Sequence, residues 1–340
     1  MAQPALDFFR RRAVLLKAEA TEGTDPLPVP GTDGIRLFDG SSSTGFDKVE
    51  RNEDTAHFGS KPFVVANRRA TIEGTFELYP PTTPGAVSNS DADCGKILLP
   101  SAMAVTKTLA TKITRYNPIS SGIPSATAYW YHTGTLLKVL GARGNISSLG
   151  LEIGQRFTGK VSLQGEYTEV SNVAVPSVTL PTKVPVVSSK RNSECIISTL
   201  VRGATASTDG TPLTDLHTWA KALRIDFGNQ LAYREYTEKG VSGITDRAST
   251  FTLRLAKTDI SADFNPWYVR DNGIVLQVAY RMYELDTKVG LYSELGIRAQ
   301  IENITPTDID GDYGFEITGP CIPSSSGNDE FYIGFGDTSP

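Results

Sequence analysis

Between Arg69 and Tyr79 the chain alternates without a break. Ala70, Ile72, Gly74, Phe76 and Leu78 fall on one side, and Arg69, Thr71, Glu73, Thr75 and Glu77 on the other. A period of two is the mark of a β-strand with one dry and one wet face. Thr158 to Tyr167 repeats it, with Val161, Leu163 and Tyr167 set against Lys160, Ser162, Gln164 and Glu166. Ser125 to Thr133 reads as a further strand, rich in aromatic residues. Later in the chain the same grammar returns at Leu223, Ile225 and Phe227, and then at Phe251, Leu253 and Leu255. It continues through Ile274, Leu276, Val278, Tyr280 and Met282, then Ile297, Ala299 and Ile301, and closes at Phe315 and Ile317. Asp7 to Ala20 is the one early stretch that suits a short helix, capped by Asp7.

The interruptions divide the chain. Gly23 to Gly34 is rich in Pro and Gly and predicts an extended segment, Pro80 to Asp93 a long polar loop, and Ser171 to Ser189 a linker. The expected organisation is an N-terminal arm over 1–34, a first domain over 35–175, a linker over 176–190, a second domain over 191–320 and a C-terminal arm over 321–340. Asn67 to Pro80 resembles Thr245 to Thr258, and Phe157 to Tyr167 resembles Asp312 to Pro320 as the closing strand of its half. The order of elements in the two halves points to an internal duplication. A duplicated β unit with unpaired edges needs neighbours to cover them.

Composition sharpens this picture. Thirty-one glycines and 20 prolines punctuate the 340 residues at intervals that suit short strands and turns. With 33 basic and 38 acidic residues the net charge is −5, which repels nucleic-acid phosphate and argues against a DNA-grasping role, though not against a conduit that DNA passes through. Cys94, Cys195 and Cys321 have no CxxC spacing, so buried thiols are expected and neither a disulfide framework nor a zinc site. No window reaches membrane-spanning length, and the apolar run after Arg10, Arg11 and Arg12 stops at Lys17, so a soluble protein made in a cytoplasm is expected, with no membrane partner.

Candidate chemistry is thin. Asp308, Asp310 and Asp312 alternate like calcium-loop ligands, but Tyr313 and Gly319 stand where such a loop needs Gly and Glu, which leaves a hairpin turn on Asp310-Gly311 as the expectation. His57, His132 and His217 lie in separate segments without HExxH spacing, and no GxSxG, GxGxxG or Walker pattern occurs. No cofactor and no enzymatic activity are expected.

Four stretches carry a family resemblance: Ala13 to Leu37, Arg69 to Leu78, Lys138 to Gly165 with its opening KVLGARG, and Asp226 to Arg247 together with DFNPW at Asp263 to Trp267. Together they resemble the tail tube (major tail) proteins of long-tailed, siphovirus-like bacteriophages, in the version with two tube domains per chain. The resemblance implies a mainly β fold of two tandem β-sandwich or barrel-like domains with short flanking helices and extended arms, Asp215 to Leu223 being the best helix. It also implies a structural virion protein of the tail, assembled in the bacterial cytoplasm into stacked rings around a bore for double-stranded DNA. Its partners would be copies of itself, in trimeric rings of pseudo-sixfold symmetry, along with tape-measure and tail terminator or tip proteins. Thr71, Glu73, Thr75, Glu77, Ser162, Gln164 and Glu166 are the expected lumen-facing residues. Arms at Met1 to Asp33, Phe38 to Ser60 and Pro320 to Pro340 would bridge rings, and removing the residues after Cys321 is expected to leave a folded subunit. The alternative is a carbohydrate-binding or adhesin-like β-sandwich of a tail tip or fibre, which predicts a compact soluble oligomer seen as discrete particles.

Overall fold

The computed structural model describes residues 11–51, 60–86, 94–180, 183, 185–200, 211–212, 220–256 and 264–339. The first strands are β1 (Arg12–Ala18), β2 (Gly34–Ile35), β3 (Phe38–Glu50), β4 (Phe63–Glu77), β5 (Met103–Thr108), β6 (Ile113–Pro118) and β7 (Ala126–His132). They are followed by β8 (Thr135–Glu152), β9 (Thr158–Asn172), β10 (Ser193–Leu200), β11 (Thr211–Pro212), β12 (Ala220–Asp226), β13 (Asn229–Glu235) and β14 (Gly240–Arg247). The last are β15 (Thr250–Ala256), β16 (Val275–Tyr283), β17 (Leu291–Ala299), β18 (Asn303–Ile309), β19 (Asp312–Pro320) and β20 (Phe331–Asp337). Among the described residues the helices are α1 (Cys94–Leu98) and α2 (Pro266–Asp271), with a 3-10 turn at Leu99–Ser101. Asn265 caps α2 by accepting from the Tyr268 N–H at 2.9 Å, and Pro266 supplies a preset first helical residue.

The protein is mainly β, and its strands pair antiparallel throughout. The larger sheet contains an uninterrupted path of eight strands, β3–β4–β9–β8–β12–β15–β19–β18. From Thr135 to Ala142, β8 pairs with β7, which leads on to β1 and β2; its last residues, Leu149 to Glu152, pair with β12. Register shifts along β8 and a left-handed φ of 51° at Ser148 let this one strand serve both neighbours. A second sheet, β11–β10–β16–β17–β20–β6–β5, packs against it. The path of eight falls into two units with the same order, β3–β4–β9–β8 and β12–β15–β19–β18. Each consists of an outer strand, its partner, and a closing hairpin whose second strand turns inward to that partner.

Alternation explains the core. Ile72, Phe76, Leu163, Leu151, Leu223, Ile225, Leu253 and Ile317 point to one side of the eight strands and are buried. They belong to the same cluster as Ile197, Val278, Tyr280, Leu295, Ile333 and Phe335 of the second sheet. At roughly 1.5–3 kcal/mol per fully buried large apolar side chain, this shared layer is the main stabilising element.

Several expectations are corrected. Arg12–Ala18, within the stretch expected to be a helix, is strand β1, because Val14 and Leu16 face the main core while Leu15 packs on Tyr129, Tyr131 and Leu136 on the opposite side. Three successive buried residues suit a strand covered on both faces and not a one-striped helix. Ala220–Leu223, within the second expected helix, is also strand, and 215–219 lie outside the described residues. The sheets do not follow the boundary at 176–190: β12 joins β8, and β20 lies between β17 and β6. Residues 321–340 therefore are not a free arm, since Phe331, Ile333 and Phe335 are fully buried. The expected linker is strapped down by mutual Gly154–Ser188 and Ser188–Gln155 backbone hydrogen bonds of 2.8 Å. The proposed alignment of 67–80 on 245–258 is one residue out of phase, because it sets buried Ile72 against exposed Thr250.

The burial of β20 yields a direct test. Phe331 packs on Phe227 at a ring-centroid distance of 4.6 Å, and Phe331→Ala should destabilise the chain by about 3–5 kcal/mol in chemical denaturation. Truncation after Cys321 should leave a chain with no cooperative unfolding transition, in contrast to the folded subunit expected from sequence.

Candidate assembly surface

The side of the eight strands that faces away from the core is polar along its whole width, and register places the expected residues together on it. Thr71 lies opposite Gln164 and Glu73 opposite Ser162 on β4 and β9, and Ser43 and Ser41 of β3 extend the two rows. Ser162 Oγ donates to Glu73 at 3.2 Å. Across the β8–β12 junction the face continues through Glu152, Arg224, Thr252, Arg254, Glu316 and Thr318. Arg224 is paired with Glu152, and Arg254 Nε meets Glu316 at 2.8 Å.

The seven expected residues are not equivalent. Glu73 is exposed, and Thr71, Thr75, Ser162 and Gln164 are half-buried. Glu77 is 5% exposed and ion-paired with Arg156 at the lower end of the sheet, so it is a structural anchor and not an open surface charge. Glu166 accepts the Gly240 N–H at 2.8 Å and is tied to the β13–β14 hairpin. The pKa of the nearby Tyr233 hydroxyl is pushed up to about 12 by burial and by the Glu166 charge. Strand alternation singles out acidic and hydroxyl groups here, but Arg69, Lys160, Arg224 and Arg254 lie on the same face. The face is one of interleaved charge, and the alternation that reveals its acids carries these bases too.

Among the described residues, the eight-strand path ends in two margins with no further partner within the chain, β3 at one side and β18 at the other, and the branch through β7 and β1 ends in the two-residue strand β2. Pro306 sits inside β18 opposite Phe315, where its missing N–H is tolerated because no strand lies beyond. The far half of the β3–β4 hairpin extends past the sheet and exposes Phe46, Val49, Phe63, Val64 and Val65. Phe46 and Phe63 stack at 5.9 Å, and the Lys48 amine sits 4.8 Å from the Phe63 ring centre. A register shift at Gly45/Asp47 and a φ of 52° at Asn67 set this half off from the sheet. The segment 38–60, expected as an arm, is thus a paired strand over Phe38–Glu50, and 52–59 lie outside the described residues. The run Phe63-Val64-Val65 is the signal in the sequence for this tip, and the expectation of an arm overlooks it.

The stretches that carried the resemblance converge in space. Glu19 accepts four hydrogen bonds, from the N–H groups of Gly23 (2.7 Å) and Gly141 (2.8 Å) and the hydroxyls of Ser125 and Thr127 (both 2.6 Å). Gly141 has φ +58°, a conformation costly to other residues, and it presents its N–H to this carboxylate. Arg143 pairs with Glu22 and donates to the carbonyls of Ser242 (2.7 Å) and Ile123 (3.0 Å). Asp25 accepts from Tyr129, from Lys138 at 3.2 Å and from the Leu27 N–H at 2.9 Å. Burial works to raise the Asp25 carboxyl, but the hydrogen bonds from Tyr129, Leu27 and Lys138 outweigh it and hold the group below its ordinary value.

Among the described residues no group of three or more His, Cys, Asp or Glu is arranged to hold a metal ion. Asp308 accepts from Gly311 N–H at 2.7 Å, Asp310 pairs with Lys221, and Asp310-Gly311, both at positive φ, form the hairpin turn between β18 and β19. All three cysteines are buried and outside any disulfide, and burial pushes the Cys195 and Cys321 thiols up, away from reactivity. Of the histidines, His132 ends β7, and His57 and His217 lie outside the described residues. No helix among the described residues is long and apolar enough to cross a membrane. No protein-family model matches this chain, and no curated protein matches it in sequence.

The Asp25 network predicts an acid effect of defined sign. A carboxyl held low in the folded state contributes stability that is present above its unfolded value near 3.8 and is lost as pH falls below it. Amides of 24–33 should therefore lose hydrogen-exchange protection as the pH is lowered below 3.8, and Asp25→Asn should remove this step while lowering protection at pH 7.

Proposed function

We propose that this chain is the subunit of a hollow, self-assembling tube, the tail tube of a long-tailed bacteriophage, and that DNA passes along the polar face of its eight-stranded sheet. The observation that carries this reading is the repeated strand order. Within the chain the last strand of the first unit, β8, hydrogen-bonds to the first strand of the second, β12. The last strand of the second unit, β18, and the first strand of the first, β3, are the two open margins. A second copy can add by the same rule that joins the units of one copy, and exposed sheet edges favour such addition.

Closing the series on itself removes both open margins of the eight-strand path. Three copies supply six units and twenty-four strands. At a spacing of about 4.8 Å, twenty-four upright strands enclose a ring of roughly 37 Å backbone diameter, which tilt enlarges. The face lining it bears hydroxyls and interleaved charges, so phosphate meets no continuous basic track and no site at which to dwell. The exposed hairpin tips suit contacts between copies, and tape-measure and terminator or tip proteins would set the length and ends of the tube. The rival reading, a carbohydrate-binding or adhesin-like β-sandwich, predicts a compact oligomer and gives no role to the two open margins of the path.

Electron microscopy of concentrated purified protein should reveal hollow tubes with a regular axial repeat. Uniform discrete particles at all concentrations would refute the tube and favour the adhesin-like reading. Glu73 is the cleanest probe of the bore, because it is exposed and engaged only by Ser162 among the contacts above. Glu73→Lys should leave tubes intact and slow DNA release from assembled particles, and an unchanged release rate would remove β4 from the lining.

A further inference from the structure

The two units differ in what happens between their first and second strands, and the difference points to a docking site. In the second unit, β12 and β15 are linked by the β13–β14 hairpin, which bends at Gly228 (φ +63°) and lies back over the upper ends of β4, β9 and β8 of the first unit. It is held there by Gly240 N–H to Glu166, by Asn67 N–H to Glu235 at 2.9 Å and by Arg143 to the Ser242 carbonyl. In the first unit the corresponding segment is the far half of β3 and β4, which is likewise bent away but leaves Phe46, Val49, Phe63, Val64 and Val65 exposed.

The upper ends of β15 and β19 are the counterpart of the surface that receives β13–β14. Counting up from the paired residues Phe76 and Gly159 in one unit and Leu255 and Phe315 in the other, 247–250 and 320–323 correspond to 68–71 and 164–167. At that place the chain has a cleft of about 490 Å³, lined by Ile119, Ile123, Ile244, Arg247, Pro323 and Glu330 among others. Glu330 is only 5% exposed, and its Oε1 receives Arg247 Nε at 2.7 Å and Nη2 at 2.6 Å. Its Oε2 is buried with no hydrogen-bond partner among the described residues. An unfilled buried acceptor is costly, and a donor from outside would recover that cost.

We propose that the far half of the β3–β4 hairpin of one copy lands in this cleft of the neighbouring copy, as β13–β14 lands on the first unit within a copy. Phe46 and Phe63 meet the isoleucine and proline walls, and Lys48 is the donor for Glu330. This proposal rests on the tube reading for the order of copies, and it adds which surface of the neighbour each hairpin grips.

The test uses full-length chains. Glu50→Cys and Ser120→Cys chains, both altered at exposed positions, are mixed, assembled and oxidised, the native cysteines being buried. A disulfide-linked heterodimer should be the dominant product from assembled material and absent from dilute monomer. A second variant, Phe46→Glu with Phe63→Glu, should keep the thermal transition of the parent and fail to assemble. Tubes that form without the heterodimer, or a doubly substituted chain that assembles as the parent does, would overturn the landing and leave the tube standing. A parent chain that stays monomeric at every concentration would overturn both.

Discussion

The β8–β12 pairing is the contact on which the architecture depends. It joins sequence-distant halves through four paired residues on each strand and keeps their registers in phase, so that Leu149, Leu151, Leu223 and Ile225 all face one core. Because side chains alternate with a period of two, a slip of one residue here would turn the second unit inside out, placing Arg224 and Arg254 in the core. The register shift around Ser148 sets this phase, which makes a backbone irregularity the device that lets two repeats share a sheet.

A second layer of order comes from carboxylates that bind backbone and side chains of neighbouring segments. Glu19, Glu22 and Asp25 fix the segment after β1 onto β7 and β8, and Arg143 passes that fixation to the β13–β14 hairpin. Each donor or acceptor so engaged would otherwise lie unsatisfied in a partly dry crevice. Motifs with the look of a family signature in the sequence therefore have a local physical reason: they position one hairpin on another.

How much of this is legible in the sequence depends on whether a residue's environment lies within its own strand. The Arg69–Tyr79 and Thr158–Tyr167 faces are readable, because alternation alone assigns their sides. The Asp310-Gly311 turn is readable from its dipeptide. The buried state of Glu77 is not, since it depends on Arg156, which is distant in sequence. Strand β1 reads as helix because a strand dry on both faces loses the period that identifies it. β20 reads as an arm because its glycines and the polar run before it resemble a loop, whereas its place between β17 and β6 is set by strands far away in the chain. The missing partner of Glu330 Oε2 depends on three-dimensional packing alone.

Pro306 would give the proposed assembly a mechanical character. Along the path of eight strands the four-residue seam within a copy contains no proline, but a strand laid against β18 meets one position with no N–H to offer. In the proposed closed ring of three, stiffer seams would alternate with softer ones. Bending strain would then gather at the boundaries between chains and spare the covalent junctions, so that a long filament could curve by small openings at three evenly spaced hinges while each subunit keeps its own sheet intact.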